Sequence, residues 1–212
     1  MTSPIVIVGA GGHARVVIAT LRACNAKIAF AVDSDPKLHG KDVSGIEIKG
    51  SDELLLKHSP KEFELANGLG STGSTDRRRD VFERFRERGF RFRSVVHPTA
   101  WVAEDVTMGA GVQLMAGSIV QPGTVLQDNS LLNTGAQVDH DCQVGAHSHI
   151  APGAVLSGGV RVGVGAHVGA GAVIIQGLSV GDGSIIGAGA VVLGDVPAGS
   201  LAIGNPAQSR PL

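Results

Sequence analysis

Residues 130–153 read SLLNTG AQVDHD CQVGAH SHIAPG, four consecutive blocks of six residues in which the third residue is aliphatic. The same pattern runs without insertion through sixteen blocks from Ala100 to Asp195. A strict short period over so long a run is typical of a solenoid, and one inward aliphatic side chain per six residues indicates a β-helix. Three blocks form one triangular turn of about 18 residues, which predicts about five turns stacked at the ~4.8 Å spacing of paired strands.

The repeat assigns an inward position to the third residue of each block. These residues are Val102, Met108, Leu114, Val120, Leu126, Leu132, Val138, Val144, Ile150, Leu156, Val162, Val168, Ile174, Val180, Ile186 and Val192.

Charge is distributed unevenly along the 212 residues. Residues 1–99 have a net charge of +4, whereas residues 100–212 have a net charge of −5 and contain only two basic side chains. We therefore predict two domains, an α/β front domain over residues 1–97 and an all-β coil domain with a short C-terminal tail over residues 98–212.

The total net charge is −1, which provides no electrostatic footprint for nucleic acid or for an anionic membrane. The N-terminal residues lack the pattern of a secretory signal, and no apolar run reaches membrane-spanning length. We therefore expect a cytoplasmic protein without nucleic-acid or membrane partners. Cys24 and Cys142 are expected to be reduced, buried thiols, with Cys24 inside a helix.

The front domain begins with a predicted βαβ unit. Residues 4–9, PIVIVG, are expected to form a buried strand, and GGHA at residues 11–14 leads into an amphipathic helix. A second strand over residues 28–32 ends at Asp33.

Gly9, Gly11 and Ala14 have the spacing of the dinucleotide fingerprint, with Asp33 at the expected place of a ribose-binding acid. Only about 95 residues precede the repeat, enough for one mononucleotide-binding half. A nucleotide diphosphate at the helix N-terminus is therefore favoured over nicotinamide, and a turn that binds nothing is the alternative. His13 lies in this turn and is predicted to contact phosphate or sugar.

Two further segments of the front domain are candidates for the site. A strand near residues 63–66 runs into Asn67-Gly68-Leu69-Gly70, which we expect to form a second wall of the ligand site at the same sheet edge. Residues 76–93 are predicted to form a solvated basic helix packed by its aromatic stripe, and a direct phosphate contact from Arg77 or Arg78 is the alternative.

The polar cluster NTGAQVDHDC at residues 133–142, followed by His147 and His149, stands out from a repeat built mainly of small and aliphatic residues. Because residues 18 apart stand in a column, Gly158 is expected one turn from His140, and His167 one turn from His149.

These features together resemble the bacterial nucleotide-sugar acetyltransferases of the left-handed β-helix superfamily. The resemblance rests on the front Gly-Gly-His turn, the unbroken repeat, Asn133 seven residues before His140, His149 nine residues after it, and GNPA at residues 204–207. The family includes N-acetyltransferases of UDP-linked 4-amino sugars and related sialic-acid O-acetyltransferases. It implies a left-handed coil and acetyl-CoA as co-substrate, with no metal.

The resemblance implies that His140 is the general base, since an imidazole with a pKa near 6.5 accepts a proton near neutral pH. Asp141 would orient the ring, although relatives often have Glu there and Asp139 competes for the role. We predict acetyl transfer to a nucleotide-linked amino sugar, a 4-amino-4,6-dideoxy sugar for glycan or lipopolysaccharide synthesis. O-acetylation is the alternative.

The resemblance also implies the binding residues. Asn133 would lie near the sugar, and amides around Gly158 could meet the oxyanion. Acetyl-CoA would contact His149 and run past Gly158, Ala170 and Ala188 between two subunits of a homotrimer. The nucleotide part would be bound by Gly11, Gly12, His13, Asp33 and Ser34.

Three rival functions follow from the same residues. A zinc hydratase would use His140, His147 and His149, but such sites need a further histidine two turns earlier, where Gly111 and Gln113 stand. A non-catalytic nucleotide-sugar sensor would be expected to have a degraded histidine-acid pair, whereas His140 and Asp141 are both present in this sequence. An NAD-dependent oxidoreductase would use the front turn for nicotinamide.

Overall fold

The computed structural model describes residues 3–212, and its front domain is built around a small parallel sheet. The elements in chain order are β1 Ile5–Val8, α1 Gly12–Ala23, β2 Ile28–Val32, a 3₁₀ helix Pro36–Leu38, β3 Asp42–Val43, β4 Ile46–Glu47, a 3₁₀ helix Asp52–Lys57, β5 Glu64–Asn67 and α2 Asp76–Glu87. The sheet order is β2-β1-β5, and β3 pairs with β4 in an antiparallel hairpin. The βαβ unit predicted from the sequence is therefore present. No helix within residues 3–212 is long and apolar enough to cross a bilayer.

Helix α2 is shorter than predicted, and the reason is Gly89. Its φ of 83° lies in the left-handed region, and the Phe90 amide donates to the Phe85 carbonyl at 3.0 Å, which ends the helix. The chain then turns back, so that Phe90 and Phe92 pack into the core of the front domain. The prediction of a helix to residue 93 was wrong, because Phe90 and Phe92 continue the apolar pattern of a helix beyond Gly89, where the helix has already ended.

Cys24 also differs from the prediction. It caps the end of α1 and is exposed, with Sγ 3.1 Å from the Val96 carbonyl oxygen, whereas Cys142 is buried as expected.

The coil begins before the hexapeptide blocks and continues after them. Its strands are β6 Val95–Val96, β7 Trp101–Val102, β8 Thr107–Met108, β9 Gln113–Leu114, β10 Ile119–Val120, β11 Val125–Leu126, β12 Leu131–Leu132, β13 Gln137–Val138, β14 Gln143–Val144, β15 His149–Ile150, β16 Val155–Leu156, β17 Arg161–Val162, β18 His167–Val168, β19 Val173–Ile174, β20 Ser179–Val180, β21 Ile185–Ile186, β22 Val191–Val192, β23 Ser200–Gly204 and β24 Ala207–Pro211. Because β6 and β23 extend one sheet beyond the blocks, the left-handed parallel β-helix has about six turns, one more than the repeat predicted.

The coil has three faces, which we name by what their outward side chains do. The docking face, β24-β23-β21-β18-β15-β12-β9-β6, meets the front domain. The apolar face, β22-β19-β16-β13-β10-β7, presents mainly apolar side chains to the outside. The polar face is β20-β17-β14-β11-β8.

The interior of the coil is filled by the predicted aliphatic column. From Leu114 to Val192 every predicted inward residue is buried, and they form one continuous core. The first two positions differ: Val102 is only partly buried, and Met108 has 40% of its surface exposed. Met108 lies in the first turn, where no earlier strand of the polar face covers it.

The backbone conformation of the corners explains why small residues lie between the strands. The second residue of most corners has a positive φ, and glycine supplies it at most of these places. Asn129, Asp141 and His147 adopt the same backbone conformation without being glycine, with φ between 56° and 61°.

The front domain covers the middle of the docking face. Outward side chains there are buried in four successive turns, namely Gln113, Leu131, His149 and His167. Apolar residues of α1 pack with Leu131 and Met115 in one cluster, and the Thr75 hydroxyl donates to the Gly165 carbonyl at 3.0 Å. The two parts therefore share a partly polar, buried interface.

Close stacking of the turns makes Gly145 irreplaceable, and we predict that Gly145→Ala lowers stability. A Cβ there would lie 2.6 Å from the Gly163 carbonyl carbon and 2.7 Å from the Val164 nitrogen, both backbone atoms of the next turn. We expect a loss of about 1–3 kcal/mol in the free energy of unfolding, measured as a lower thermal midpoint by circular dichroism. Gly194→Ala is the matched control, because a Cβ at Gly194 meets nothing within 4 Å. Equal midpoints for the two variants would contradict the prediction.

Candidate active site

The turn between β1 and α1 is open to a ligand. Gly9 has a φ of 95°, and a Cβ there would collide with Leu69, so only glycine fits. Gly11 caps α1 without a side-chain hydrogen bond, and no acidic residue lies in the first turn. Open space surrounds both Gly11 and Gly12, where an added Cβ would meet no atom within 4 Å. Free amides at a helix N-terminus favour an anionic group.

A cavity of about 610 Å³, here called the main cavity, lies between this turn and the coil. It brings together six residues predicted from the sequence, namely Gly11, Gly12, His13, Gly68, Asn133 and His149. Its other lining residues are Val16, Leu69, Gly70, Ser71, Thr72, Arg77, Thr134 and Pro152. The sequence prediction followed this loop as far as Gly70 and missed Ser71 and Thr72.

A smaller cavity of about 210 Å³ adjoins the main one and contains Asp33 and Ser34. Leu69 and Arg77 line both cavities. Asp33 also holds the turn itself, because its carboxylate accepts from the Ala10 amide at 2.7 Å and from the Asp35 amide at 2.8 Å. The remaining lining residues are Val8, Gly9, Asp52, Asp80 and Val81.

Asn67 lies behind the cavities and lines neither of them. It is 2% exposed, and its amide nitrogen donates to the Arg78 carbonyl at 3.0 Å and to Asn129 Oδ1 at 3.2 Å. Its side-chain oxygen accepts from the Leu69 amide at 3.2 Å. The structure thus places Asn67 as a support of the loop rather than beside a ligand.

The two arginines considered at the start of α2 have different positions. Arg77 lines both cavities, whereas Arg78 is fully buried with no carboxylate partner and donates to the Leu69 carbonyl at 2.9 Å. Burial lowers the pKa of Arg78 to about 9, so it still carries its charge at neutral pH. Arg77 is therefore the cation within reach of a ligand.

His13 is held as a neutral ring. Its Nε2 lies 2.8 Å from Gln113 Oε1, while Gln113 Nε2 donates to the Asn67 carbonyl at 2.7 Å. Burial, followed by the charge of Arg78, lowers the pKa of His13 to about 4. At neutral pH this histidine provides hydrogen bonds and no positive charge.

His149 lies where the main cavity joins a second opening. Its Nδ1 is 2.6 Å from Ser71 Oγ, its Nε2 is 3.2 Å from Asn133 Nδ2, and its ring meets that of His167 edge to face at 4.8 Å. Burial and then the neighbouring His167 lower the pKa of His149 to about 2. The stacking of His149 and His167 in successive turns is as predicted.

The second opening, here called the groove, has a volume of about 410 Å³ and follows the corner between the docking and apolar faces. It contains His149, Ala170 and Ala188, three of the four residues predicted to contact acetyl-CoA. It shares Ser71, Thr72, Asn133, His149 and Pro152 with the main cavity, so the two spaces are continuous.

His140 and Asp141 lie at the corner between the apolar and polar faces. Asp141 Oδ2 is 2.8 Å from His140 Nδ1, and this contact is the largest cause of a raised pKa for His140. Asp139 instead accepts from the His140 backbone amide at 2.8 Å. A Cβ at Gly158 would lie 2.5 Å from His140 Nε2, so the glycine makes room for the ring.

Within one chain, the His140 ring lines neither the main cavity nor the groove. The three histidines of the zinc alternative are also apart: His140 is at the corner just described, His149 is on the docking face, and His147 pairs with Glu83 at 2.9 Å at a third corner. Among residues 3–212 no group of three or more His, Cys, Asp or Glu side chains is arranged to hold a metal ion.

The sequence matches two family models. Residues 4–85 match the PglD N-terminal domain, and residues 123–158 match the bacterial transferase hexapeptide (six repeats). A GDP-perosamine N-acetyltransferase of Escherichia coli O157:H7 is 33% identical over 164 residues, which cover 72% of this chain and 69% of that protein.

Solved structures are similar over the whole chain. PerB from Caulobacter crescentus in complex with CoA and GDP-perosamine has 38% identity and a TM-score of 0.89, covering 99% of this chain and 98% of the other. A second structure of that enzyme with the same ligands has one histidine replaced by alanine. The acetyltransferase domain of PglB from Neisseria gonorrhoeae FA1090 with acetyl coenzyme A has 37% identity, a TM-score of 0.91 and full coverage of both chains.

These matches extend over both domains and agree with a phosphate-binding turn that opens onto a hexapeptide-repeat coil. The chain belongs to the family of bacterial nucleotide-sugar N-acetyltransferases that join a PglD-type N-terminal domain to a left-handed β-helix.

Proposed function

We propose that this acetyltransferase transfers the acetyl group of acetyl-CoA to the amino group of GDP-perosamine, the 4-amino-4,6-dideoxy sugar nucleotide named for the Escherichia coli and Caulobacter crescentus relatives. One observation carries the proposal: the main cavity at the phosphate turn and the groove along the coil are continuous at Ser71, Asn133 and His149. A nucleotide sugar bound at the turn can therefore reach a thioester held in the groove.

The nucleotide is assigned from the front domain. The diphosphate lies at the N-terminus of α1, where the amides of Gly11 and Gly12 and the side chain of Arg77 face it. The nucleoside occupies the smaller cavity, lined by carboxylates of Asp33, Asp52 and Asp80. Carboxylates accept hydrogen bonds, and guanine offers neighbouring N–H donors on one edge, so this cavity favours a guanine nucleotide.

Acetyl-CoA occupies the groove. Ala170 and Ala188 leave space along the coil for an extended pantetheine arm, and both residues are exposed at the corner. His149 contributes a neutral ring at the inner end of the groove, where burial keeps it uncharged. The thioester would lie beyond this ring, close to the sugar.

His140 acts as the general base. Asp141 fixes the proton on Nδ1, which leaves Nε2 with a lone pair for the sugar ammonium or amine. The amine nitrogen attacks the thioester carbonyl carbon as its proton moves to Nε2, the C–S bond breaks, and the imidazolium returns the proton to the CoA thiolate. No acyl-enzyme is required.

A homotrimer completes this site. His140 is at one corner of the coil and the groove follows another, so the base of one copy meets the groove of its neighbour. The apolar face supplies the contact surface, with Trp101 51% exposed and Ile119, Val155, Val173 and Val191 partly exposed along it.

The domain bounds and the cellular role are also part of the proposal. The front domain comprises residues 1–97 and the coil domain residues 98–212. The enzyme acts in the cytoplasm, in glycan or lipopolysaccharide synthesis.

The proposed reaction is tested by following thiol release from acetyl-CoA with a panel of acceptors. We expect rapid acetylation of GDP-perosamine, slower reaction of UDP- and dTDP-linked 4-amino sugars, and none of free sialic acid.

His140→Ala should lower turnover by about 10²–10⁴, the usual contribution of a general base. His58→Ala, which changes a histidine that pairs with Glu62, packs against Phe63 and lines neither the main cavity nor the groove, is the matched control.

Three results of these assays would contradict the proposal. Reaction of sialic acid alone would indicate O-acetylation, and preference for a UDP-linked sugar would overturn the guanine assignment. Wild-type turnover in His140→Ala would exclude this histidine as the base.

We predict that Asp141→Asn moves the acidic limb of the kcat/KM profile to lower pH. The base must be unprotonated to work, and Asp141 raises the pKa of His140 above 6.5, so activity of the native enzyme rises as pH passes this raised value. Without the carboxylate the pKa falls, the limb follows it, and maximal kcat decreases because the ring loses its orientation. Initial rates between pH 5 and 9 measure both effects. An unchanged limb with a lower plateau would show that Asp141 does not set this pKa.

The shared site predicts rescue between two inactive variants. His140→Ala removes the base, and Ala170→Trp fills the groove, so each homotrimer should be inactive. In a mixed trimer, one of the three sites pairs the intact base of one copy with the intact groove of its neighbour, which should restore about a third of native activity. Co-expression with two affinity tags and assay of the doubly tagged trimers tests this. Absence of activity in such trimers would place base and groove in one chain.

A further inference from the structure

Ser71 occupies the point where the main cavity and the groove meet. It follows β5 in the loop at 69–72 and lines both spaces. Its Oγ lies 2.6 Å from His149 Nδ1, a short contact that joins the front domain to the coil. The hydroxyl is half-buried, with one side against the histidine and the other facing the cavities.

The direction of this hydrogen bond follows from Asn133. The Thr134 backbone N–H can only donate, and it lies 2.8 Å from Asn133 Oδ1, so the oxygen of that amide points to Thr134. The amide nitrogen then faces His149 Nε2 at 3.2 Å and donates to it. Since Nε2 accepts, the proton of the neutral ring is on Nδ1, and His149 donates to Ser71 Oγ.

Ser71 thereby keeps its proton available to donate to a ligand. Its oxygen already accepts from His149, and its own proton has no partner among the described residues. The ring cannot change roles by taking a second proton near neutral pH, because burial holds the pKa of His149 at about 2. An acceptor atom of a ligand beside Ser71 would therefore satisfy this proton.

The proposed function places the sugar at this position. The diphosphate lies at Gly11 and Gly12 at one side of the main cavity, and the amino group has to reach the thioester in the groove at the other. The part of the substrate that spans this distance and passes Ser71 is the sugar ring with its hydroxyl groups.

We infer that Ser71 is a sugar-binding residue whose hydroxyl donates a hydrogen bond to an oxygen of the transferred sugar unit, and that His149 positions this hydroxyl. The inference rests on the proposed function and deepens it. It gives His149 a role through Ser71, in addition to its place in the groove.

Ser71→Ala tests the inference through separate Michaelis constants. We expect KM for GDP-perosamine to rise about three- to tenfold, the effect of one lost neutral hydrogen bond, with KM for acetyl-CoA unchanged. Ser71→Thr, which keeps the hydroxyl, should restore most of the affinity. Ser74→Ala is the matched control, because Ser74 bonds only within its own turn, to Asp76, and lines neither cavity.

A structural role for Ser71 would have other signs. A lower melting temperature with both Michaelis constants raised, or an unchanged KM for the sugar nucleotide, would overturn the inference. The tautomer provides an independent readout: ¹⁵N spectra of the native enzyme should show the His149 proton on Nδ1, and a proton on Nε2 would also overturn it. If the native enzyme acetylates no nucleotide-linked amino sugar, the proposed function fails instead, and the ¹⁵N result still reports on the hydrogen bond.

Discussion

Backbone hydrogen bonds between successive turns of the coil determine the position of almost every other feature. Each outward strand residue donates to the next turn at nearly constant length, as in Gln137 to Ala154 and His149 to Ala166, both 2.9 Å. The buried aliphatic column makes this stacking favourable, since each turn removes further apolar surface from water. Flat faces with side chains at regular spacing follow, and the front domain can dock only on such a face.

The docking interface is notable for its burial of ionisable groups. His13 and His149 are kept neutral by desolvation, and each ring nitrogen that faces protein has a hydrogen-bond partner. Arg78 remains charged beneath the same loop and holds it through the Leu69 carbonyl. Arg77, Arg78 and the helix terminus therefore bring positive charge to the main cavity, while the histidines add directional hydrogen bonds. This separation suits a ligand with both a diphosphate and a sugar.

The parts of the molecule with a strict pattern could be predicted from the sequence. The six-residue period identified every coil strand from Trp101 to Val192, because one inward aliphatic residue per block is a physical requirement of the stacking. The end of α2 could not be found in this way, since Phe90 and Phe92 continue a helical apolar pattern that Gly89 interrupts. Exposure of Met108 depends on the end of the coil, which local sequence does not show.

The site was predictable to a similar, limited degree. Gly11, Gly12, Gly68, Asn133 and His149 meet in one cavity as residue types and spacing indicated. Ser71 was not predicted, and Arg77 was considered only as an alternative, because a loop has no period and its contacts depend on where the docking face lies. The pairing of His140 with Asp141 is direct despite the short side chain, and an aspartate tolerates the positive φ of 58° at that corner better than longer residues do.

The regular spacing of the corners also constrains how such a chain can change during evolution. Insertion or deletion of one residue inside a block would turn every later inward side chain outward, and it would rotate all later corners relative to the front domain. Substitutions, additions of whole turns, and loops that project from a corner leave the order intact. The coil therefore has a structural reading frame, and two histidines nine residues apart keep their relative positions only while that frame is preserved.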